Sequence, residues 1–282
     1  MAASGKRVTP TKSASLVYFH YGDSPFLSIC QETLRVRLAF EGSDFNVLLK
    51  EQTTPAVLDF NEADEKRTNV LDLPTRKNFL KYLHQLARDG YRIDVWIFAH
   101  GNRDLIAASD GDLRASEIAS ELAPARTGLA EMPIRLVYGT NCYGSTLGGV
   151  WTSVGAKVAA GARFVNFFPH QFGAFAKEWN AGTSFGTALG KANTTVSRRL
   201  TEPFILVDAG KMAALWGGCP GLAKTVLNTE ECARRYFGTR WGRKPDELAK
   251  IADPREHMKR SSEQAVAGKA ELRKRDSLTW RA

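Results

Sequence analysis

Apolar positions in this chain fall in short runs that alternate with longer stretches of helical period. Residues 16–21 form an apolar, β-branched and aromatic run that ends at Gly22-Asp23, the mark of a buried strand running into a turn. A helix is expected over about residues 25–40, a short strand over 46–49 and a polar connection over 59–67. Residues 75–89 place Phe79, Leu80, Leu83 and Leu86 on one helical face, with Gly90 as the stop. The run Val95-Trp96-Ile97-Phe98-Ala99 then ends in His100-Gly101. After the turn at Asp110-Gly111 and a helix over 115–122, the run Ile134-Arg135-Leu136-Val137-Tyr138 ends in Gly139-Thr140-Asn141-Cys142-Tyr143-Gly144. Residues 151–160 read as a helix closed by Gly161, residues 163–168 as a strand ended by Pro169, and 184–200 as a helix. A sixth strand is expected over 204–207, before Asp208-Ala209-Gly210.

Strands that alternate with helices of ten to fifteen residues predict an α/β architecture of three layers. A six-stranded, mainly parallel sheet lies between helices. The domain covers residues 15–210, after a disordered leader over 1–14 and before a basic, mainly helical C-terminal extension over 211–282.

Composition narrows the class. At 282 residues, with 43% hydrophobic content and a mean hydropathy of −0.28, the chain is an ordinary globular protein with one principal core. No apolar run approaches the length of about 18 residues that a membrane helix needs, so no membrane is expected. The start lacks the apolar core of a secretory signal. Four cysteines, Cys30, Cys142, Cys219 and Cys232, form no Cys-x-x-Cys pair, which points to a reducing cytoplasm. A Cys219 to Cys232 bridge, or a zinc site adding His257, matches no standard ligand spacing, and no metal or other cofactor is expected. The net charge of +9 collects at the two ends. Residues 243–282 carry eleven Lys or Arg against seven Asp or Glu, an interspersed mixture that suits a solvated tail better than a nucleic-acid arm.

The two strand ends carry the chemistry. In open parallel sheets the ligand crevice lies outside the carboxyl ends of the strands, so His100 and Cys142 on neighbouring strands would face one cleft. A thiol attacks as its thiolate, and a nearby imidazole favours that form or protonates a leaving group. Gly101 and Cys142 offer backbone N–H groups to an oxyanion. Gly144 allows a tight turn into a helix whose N-terminus would help hold a thiolate. Taken singly, a cysteine of this kind is most often simply buried and a strand-end histidine only satisfies a local hydrogen bond. His-Gly and Cys-x-Gly on successive strands, with 42 residues from His100 to Cys142, make the pair more telling than either residue.

In these motifs the chain resembles the caspase, legumain and gingipain clan of cysteine peptidases. The resemblance spans about residues 15–210. It includes the connection Ile106 to Leu122, the stretch Ala156 to Val165, which resembles the alanine-rich helix, Gly-Ala, strand element of bacterial relatives, and Gly182 to Leu189 with its Gly-Thr-Ser start. It implies a caspase-like fold and an endopeptidase in which Cys142 forms an acyl-enzyme and His100 handles protons. Gly101 and Cys142 would supply the oxyanion donors, and Tyr21, Asp23, Thr140, Phe168 and His170 a pocket for a protein or peptide substrate. Asp23 would select Lys or Arg, though it serves equally as a turn residue. Asn141 stands where many members carry a small or acidic residue, and Cys-Tyr-Gly lacks the Ser-Gly of several branches, so the branch stays open. So do activation by processing, calcium or a regulatory protein partner. His20 is expected near the same rim, and His84 at the surface or partly packed. Two other readings stand beside this one: a silent scaffold on the same fold, and an α/β-hydrolase using Cys142, Asp208 and His257.

Overall fold

A computed structural model describes residues 10–20, 32–51, 67–162, 171–199 and 264–267. Its main sheet is built from β1 (Lys12–His20), β2 (Phe45–Leu49), β3 (Val70–Asp72) and β4 (Tyr91–Ala99), then β8 (Ile134–Gly139), β9 (Val158–Ala162) and β10 (Gln264–Ala267). Six of these strands run parallel in the order β3-β2-β1-β4-β8-β9, and β10 pairs antiparallel with β9 at the edge. Three two-residue strands, β5 (Gly101–Asn102), β6 (Leu105–Ile106) and β7 (Leu113–Arg114), form a small antiparallel sheet directly after β4.

Both faces of the main sheet are covered, which is why its strands read as continuous apolar runs. Alternate residues separate two cores. Leu16, Tyr18, Val95 and Ile97 pack with α2 (Arg76–Arg88), α3 (Ala115–Glu121) and α5 (Gly148–Ser153), the last two separated by the short α4 (Pro124–Thr127). Val17, Phe19, Trp96, Phe98 and Tyr138 pack with α1 (Glu32–Phe40), α6 (Gln171–Asn180) and α7 (Phe185–Arg199). The second core is aromatic: Phe172 meets Phe98 edge-on at 4.8 Å between ring centroids, and Phe175 meets Tyr138 at 4.5 Å. The architecture is the expected three-layer α/β with a six-stranded parallel sheet. No helix among the described residues is long and apolar enough to cross a membrane.

α2 forms where its sequence pattern places it. The Thr75 hydroxyl accepts from the Asn78 N–H at 3.0 Å, and Gly90, with φ +80°, lets the chain turn directly into β4. Three expectations change. The helix over 151–160 stops at Ser153, because Gly155 adopts φ +122°, and a Cβ there would stand 2.5 Å from the Met132 carbonyl oxygen. The alanine-rich residues that follow are the strand β9, and the strand expected over 163–168 lies outside the described residues. Within the extension taken as helical, residues 264–267 are a strand. The strand expected over 204–207 also lies outside the described residues.

The strand order reverses between β1 and β4, since β2 and β3 lie on one side of β1 and β8 and β9 on the far side of β4. In such sheets the crevice opens at the carboxyl ends beside the reversal. His20 ends β1, His100 follows β4, and Cys142 lies in the turn after β8.

Candidate active site

β4 and β8 are direct neighbours in the sheet. Ile97 faces Gly139, and three residues beyond each stand His100 and Cys142. The backbone fixes both ends. The His100 N–H donates to the His20 carbonyl at 3.2 Å, while its own carbonyl accepts from the Ala107 N–H at 3.0 Å. Thr140 anchors the other strand, its N–H donating to the Ile97 carbonyl at 2.8 Å and its hydroxyl to the same oxygen at 3.2 Å. Thr140, expected in the pocket, is thus buried and turned toward β4.

The turn after β8 is tight. Tyr143 has φ +55°, the left-handed region that costs an L-residue about 1–2 kcal/mol. The chain then makes a single 3-10 turn over Gly144–Leu147 before α5. The helix expected to open at Gly144 is therefore replaced by this turn, and the Gly144 N–H donates to the Asn141 carbonyl at 3.1 Å. Cys142 itself is only 5% exposed, and His100 is half-buried.

Three ties join the histidine side of the cleft to the cysteine side. The Asp104 N–H donates to the Thr146 hydroxyl at 2.8 Å, and that hydroxyl donates to the Tyr143 carbonyl at 3.0 Å. The Arg103 guanidinium lies 5.5 Å from the centroid of the Tyr143 ring. Gly101 sits so close to Asn141 that a Cβ would stand 2.9 Å from its Nδ2. The small sheet β5–β7 thus works as a bracket that holds the end of β4 against the turn after β8. Two-residue strands leave no periodic signal, so the sequence pattern gave no sign of it; the adjacency of Asp104 and Thr146 is long-range.

At the back of the turn, β9 presses on it. A Cβ at Gly161 would overlap the Gly144 carbonyl carbon and stand 2.5 Å from the Ser145 nitrogen. Gly161, expected as a helix stop, is instead a strand residue that only a hydrogen side chain fits. At the rim, His20 Nδ1 lies 2.8 Å from the Glu51 carboxylate. Burial pushes the Tyr18 hydroxyl well above its ordinary range, with Asp110 and Glu51 adding to the effect. Its O–H donates to the Pro74 carbonyl at 2.7 Å. His84 lies on α2, away from these strand ends.

Of the remaining pocket residues, Tyr21, Asp23, Phe168 and His170 lie outside the described residues, as do Asp208 and His257. Among the described residues, no cluster of three His, Cys, Asp or Glu side chains is placed to hold a metal ion.

No family model matches the chain, and no curated protein matches it. Among solved structures it is similar to caspase-1 from Spodoptera frugiperda, with a TM-score of 0.40 at 12% identity, over 67% of this chain and 78% of that one. It is also similar to pro-Sf-caspase-1, with a TM-score of 0.38 at 11% identity, over 71% of this chain and 84% of that one.

Proposed function

We propose that this chain is a caspase-like cysteine endopeptidase with Cys142 as nucleophile and His100 as its proton handler. The observation that supports the reading is the direct parallel pairing of β4 and β8, whose last register pair, Ile97 with Gly139, comes three residues before His100 and Cys142. Cys142 Sγ, as thiolate, adds to the scissile carbonyl carbon, and the carbonyl electron pair moves onto oxygen. Backbone N–H groups of Gly101 and Cys142 donate to that oxyanion. The intermediate collapses as His100 gives a proton to the leaving amine, which breaks the C–N bond and leaves a thioester. His100 then takes a proton from water, whose oxygen attacks the thioester and releases the acid and the thiolate. A reducing, cytoplasmic setting suits a thiol that has to stay unoxidised. The substrate is a protein or peptide, and Asp23 remains the candidate for selecting a basic residue.

The strand order favours this reading over the α/β-hydrolase. That fold needs a further strand of the main sheet between the two reactive strands, whereas β4 and β8 pair directly and the chain between them builds only β5–β7 and two short helices. The silent scaffold draws on one observation, the 5% exposure of Cys142.

Cys142→Ala and His100→Ala decide among the three. Both should abolish cleavage of a peptide library, His100→Ala by about 10²–10⁴-fold, with melting temperatures close to the parent's. Loss of activity in His257→Ala but not in His100→Ala would establish the hydrolase. A parent that cleaves nothing, and whose Cys142 is not labelled by a peptide electrophile, would establish the scaffold.

A further inference from the structure

Where the ends of β4 and β8 meet, one buried polar side chain is left over by the mechanism above. Asn141 is 1% exposed, and its Nδ2 has no hydrogen-bond partner among the described residues. Three glycines make room for its carboxamide. A Cβ on Gly101 would stand 3.0 Å from the Asn141 Cβ, one on Gly139 2.5 Å from its Oδ1, and one on Gly144 2.9 Å from Oδ1 and 3.2 Å from Cγ. These glycines belong to three different places: the residue after His100, the last residue of β8, and the start of the 3-10 turn. The carboxamide therefore touches the histidine side and the cysteine side of the cleft at once.

Packing alone does not account for an amide here. An apolar side chain of similar volume would fill the same space without leaving a buried donor unsatisfied, which is destabilising. Unpaired buried polar groups are rare enough that each calls for a reason, and a catalytic role is one of them. A dipole fixed by packing in a water-poor surrounding acts strongly on charge that develops beside it, with no reorganisation during the reaction.

We infer that Asn141 is a positioning residue: its carboxamide, wedged between Gly101 and Gly144, holds the His100-Gly101 end against the Cys142 turn and supplies a fixed dipole beside both. The inference rests on the assignment of His100 and Cys142 as the reactive pair.

The test follows alkylation of Cys142 in the full chain by iodoacetamide, read by mass spectrometry across pH, alongside melting temperature. Asn141→Leu removes the amide and keeps most of its volume. It should melt at or above the parental temperature, react about tenfold more slowly at neutral pH, and move the alkylation curve to higher pH. Asn141→Ala with Gly144→Ala refills the space by another route. It should recover the stability that Asn141→Ala loses without recovering the rate, and it decides the matter if Asn141→Leu does not fold. A folded variant of either kind that alkylates at the parental rate and pH overturns the inference. His100→Ala separates the two layers of the argument. If it leaves alkylation unchanged, the reactive pair is wrong and the role of Asn141 falls with it; if it slows alkylation while the Asn141 variants do not, only the role of Asn141 falls.

Discussion

Arg135 is the residue that β8 inserts beside Asp94. Ile93 faces Ile134, but Asp94 faces Leu136, so Arg135 is the extra residue of a bulge, and its guanidinium closes on both oxygens of the Asp94 carboxylate in the buried interior. The Nε to Oδ1 distance is 2.7 Å, and the guanidinium also lies 5.2 Å from the centroid of the Trp179 ring. Beyond this pair, the register runs unbroken to Ile97 and Gly139, three residues before His100 and Cys142. A one-residue slip turns every side chain of a strand to the other face. The ion pair thus sits at the point where the register of β4 and β8 is reset. Arg135→Met should cost about 3–5 kcal/mol, because Asp94 would be left buried and uncompensated. Asp94→Leu combined with Arg135→Met should recover much of that loss. Urea unfolding of the three proteins checks both expectations, and a double variant as unstable as the single one would contradict the bulge account.

Tyr143 tests the turn itself. Tyr143→Gly relieves the left-handed strain of about 1–2 kcal/mol but gives up a buried aromatic ring, whose truncation costs about 3–5 kcal/mol, together with its Arg103 contact. Stability should therefore fall by about 1–4 kcal/mol. Alkylation of Cys142 should also change, since a glycine lets the turn sample other conformations. Arg103→Ala should shift the rate in the same direction with less effect. Calorimetry and labelling on the same preparations separate the two quantities.

Glycines at two positions should respond with opposite sign. Gly161→Ala forces a methyl against the backbone of Gly144 and Ser145, so it should destabilise by about 1–3 kcal/mol and displace the Cys142 turn. Gly190, inside α7, has open space around it, and Gly190→Ala should stabilise by about 0.5–1 kcal/mol without touching activity. Equal effects at both sites, measured by thermal unfolding, would contradict the close contact at Gly161.

His84 predicts a pH dependence of stability that is independent of the candidate site. Partial burial, and then the Arg88 guanidinium, hold its imidazole below the ordinary histidine range, partly offset by a hydrogen bond to the Glu121 backbone. Its folded value lies below its unfolded value of about 6.5, so between the two the unfolded chain binds more protons. Stability therefore falls as pH drops through about 6.5 and levels off once the folded imidazole has also protonated. His84→Gln should flatten that slope in urea midpoints measured between pH 7 and pH 5.

The elements with strong local signals were legible in the sequence. Thr75 and Gly90 bound α2 as a cap and a stop should, and the runs ending at His100 and Cys142 are the neighbouring strands β4 and β8. β9 was misread because Ala159, Ala160 and Ala162 favour no strand on their own. Their strand conformation is imposed by pairing with β8 and by the close approach of Gly161 to the turn. β3, with three residues, and the strands of the small sheet, with two each, are too short for any alternation to register. Arg135 falls within an otherwise apolar run, and only its partner Asp94 on another strand explains it. Asn141 was visible as an oddity before the cysteine, but the glycines that enclose it come from three separate stretches.

During synthesis β9 emerges long before β10, and until residues 163–263 have been made its outer edge has no strand to pair with. Pairings of such long sequence separation form late, because the loop has to close before the contact repays it. The turn that carries Cys142 rests on β9, so its full backing comes from the far part of the chain. The surroundings of the Cys142 thiol are in this way completed only after the polypeptide around it has largely been made.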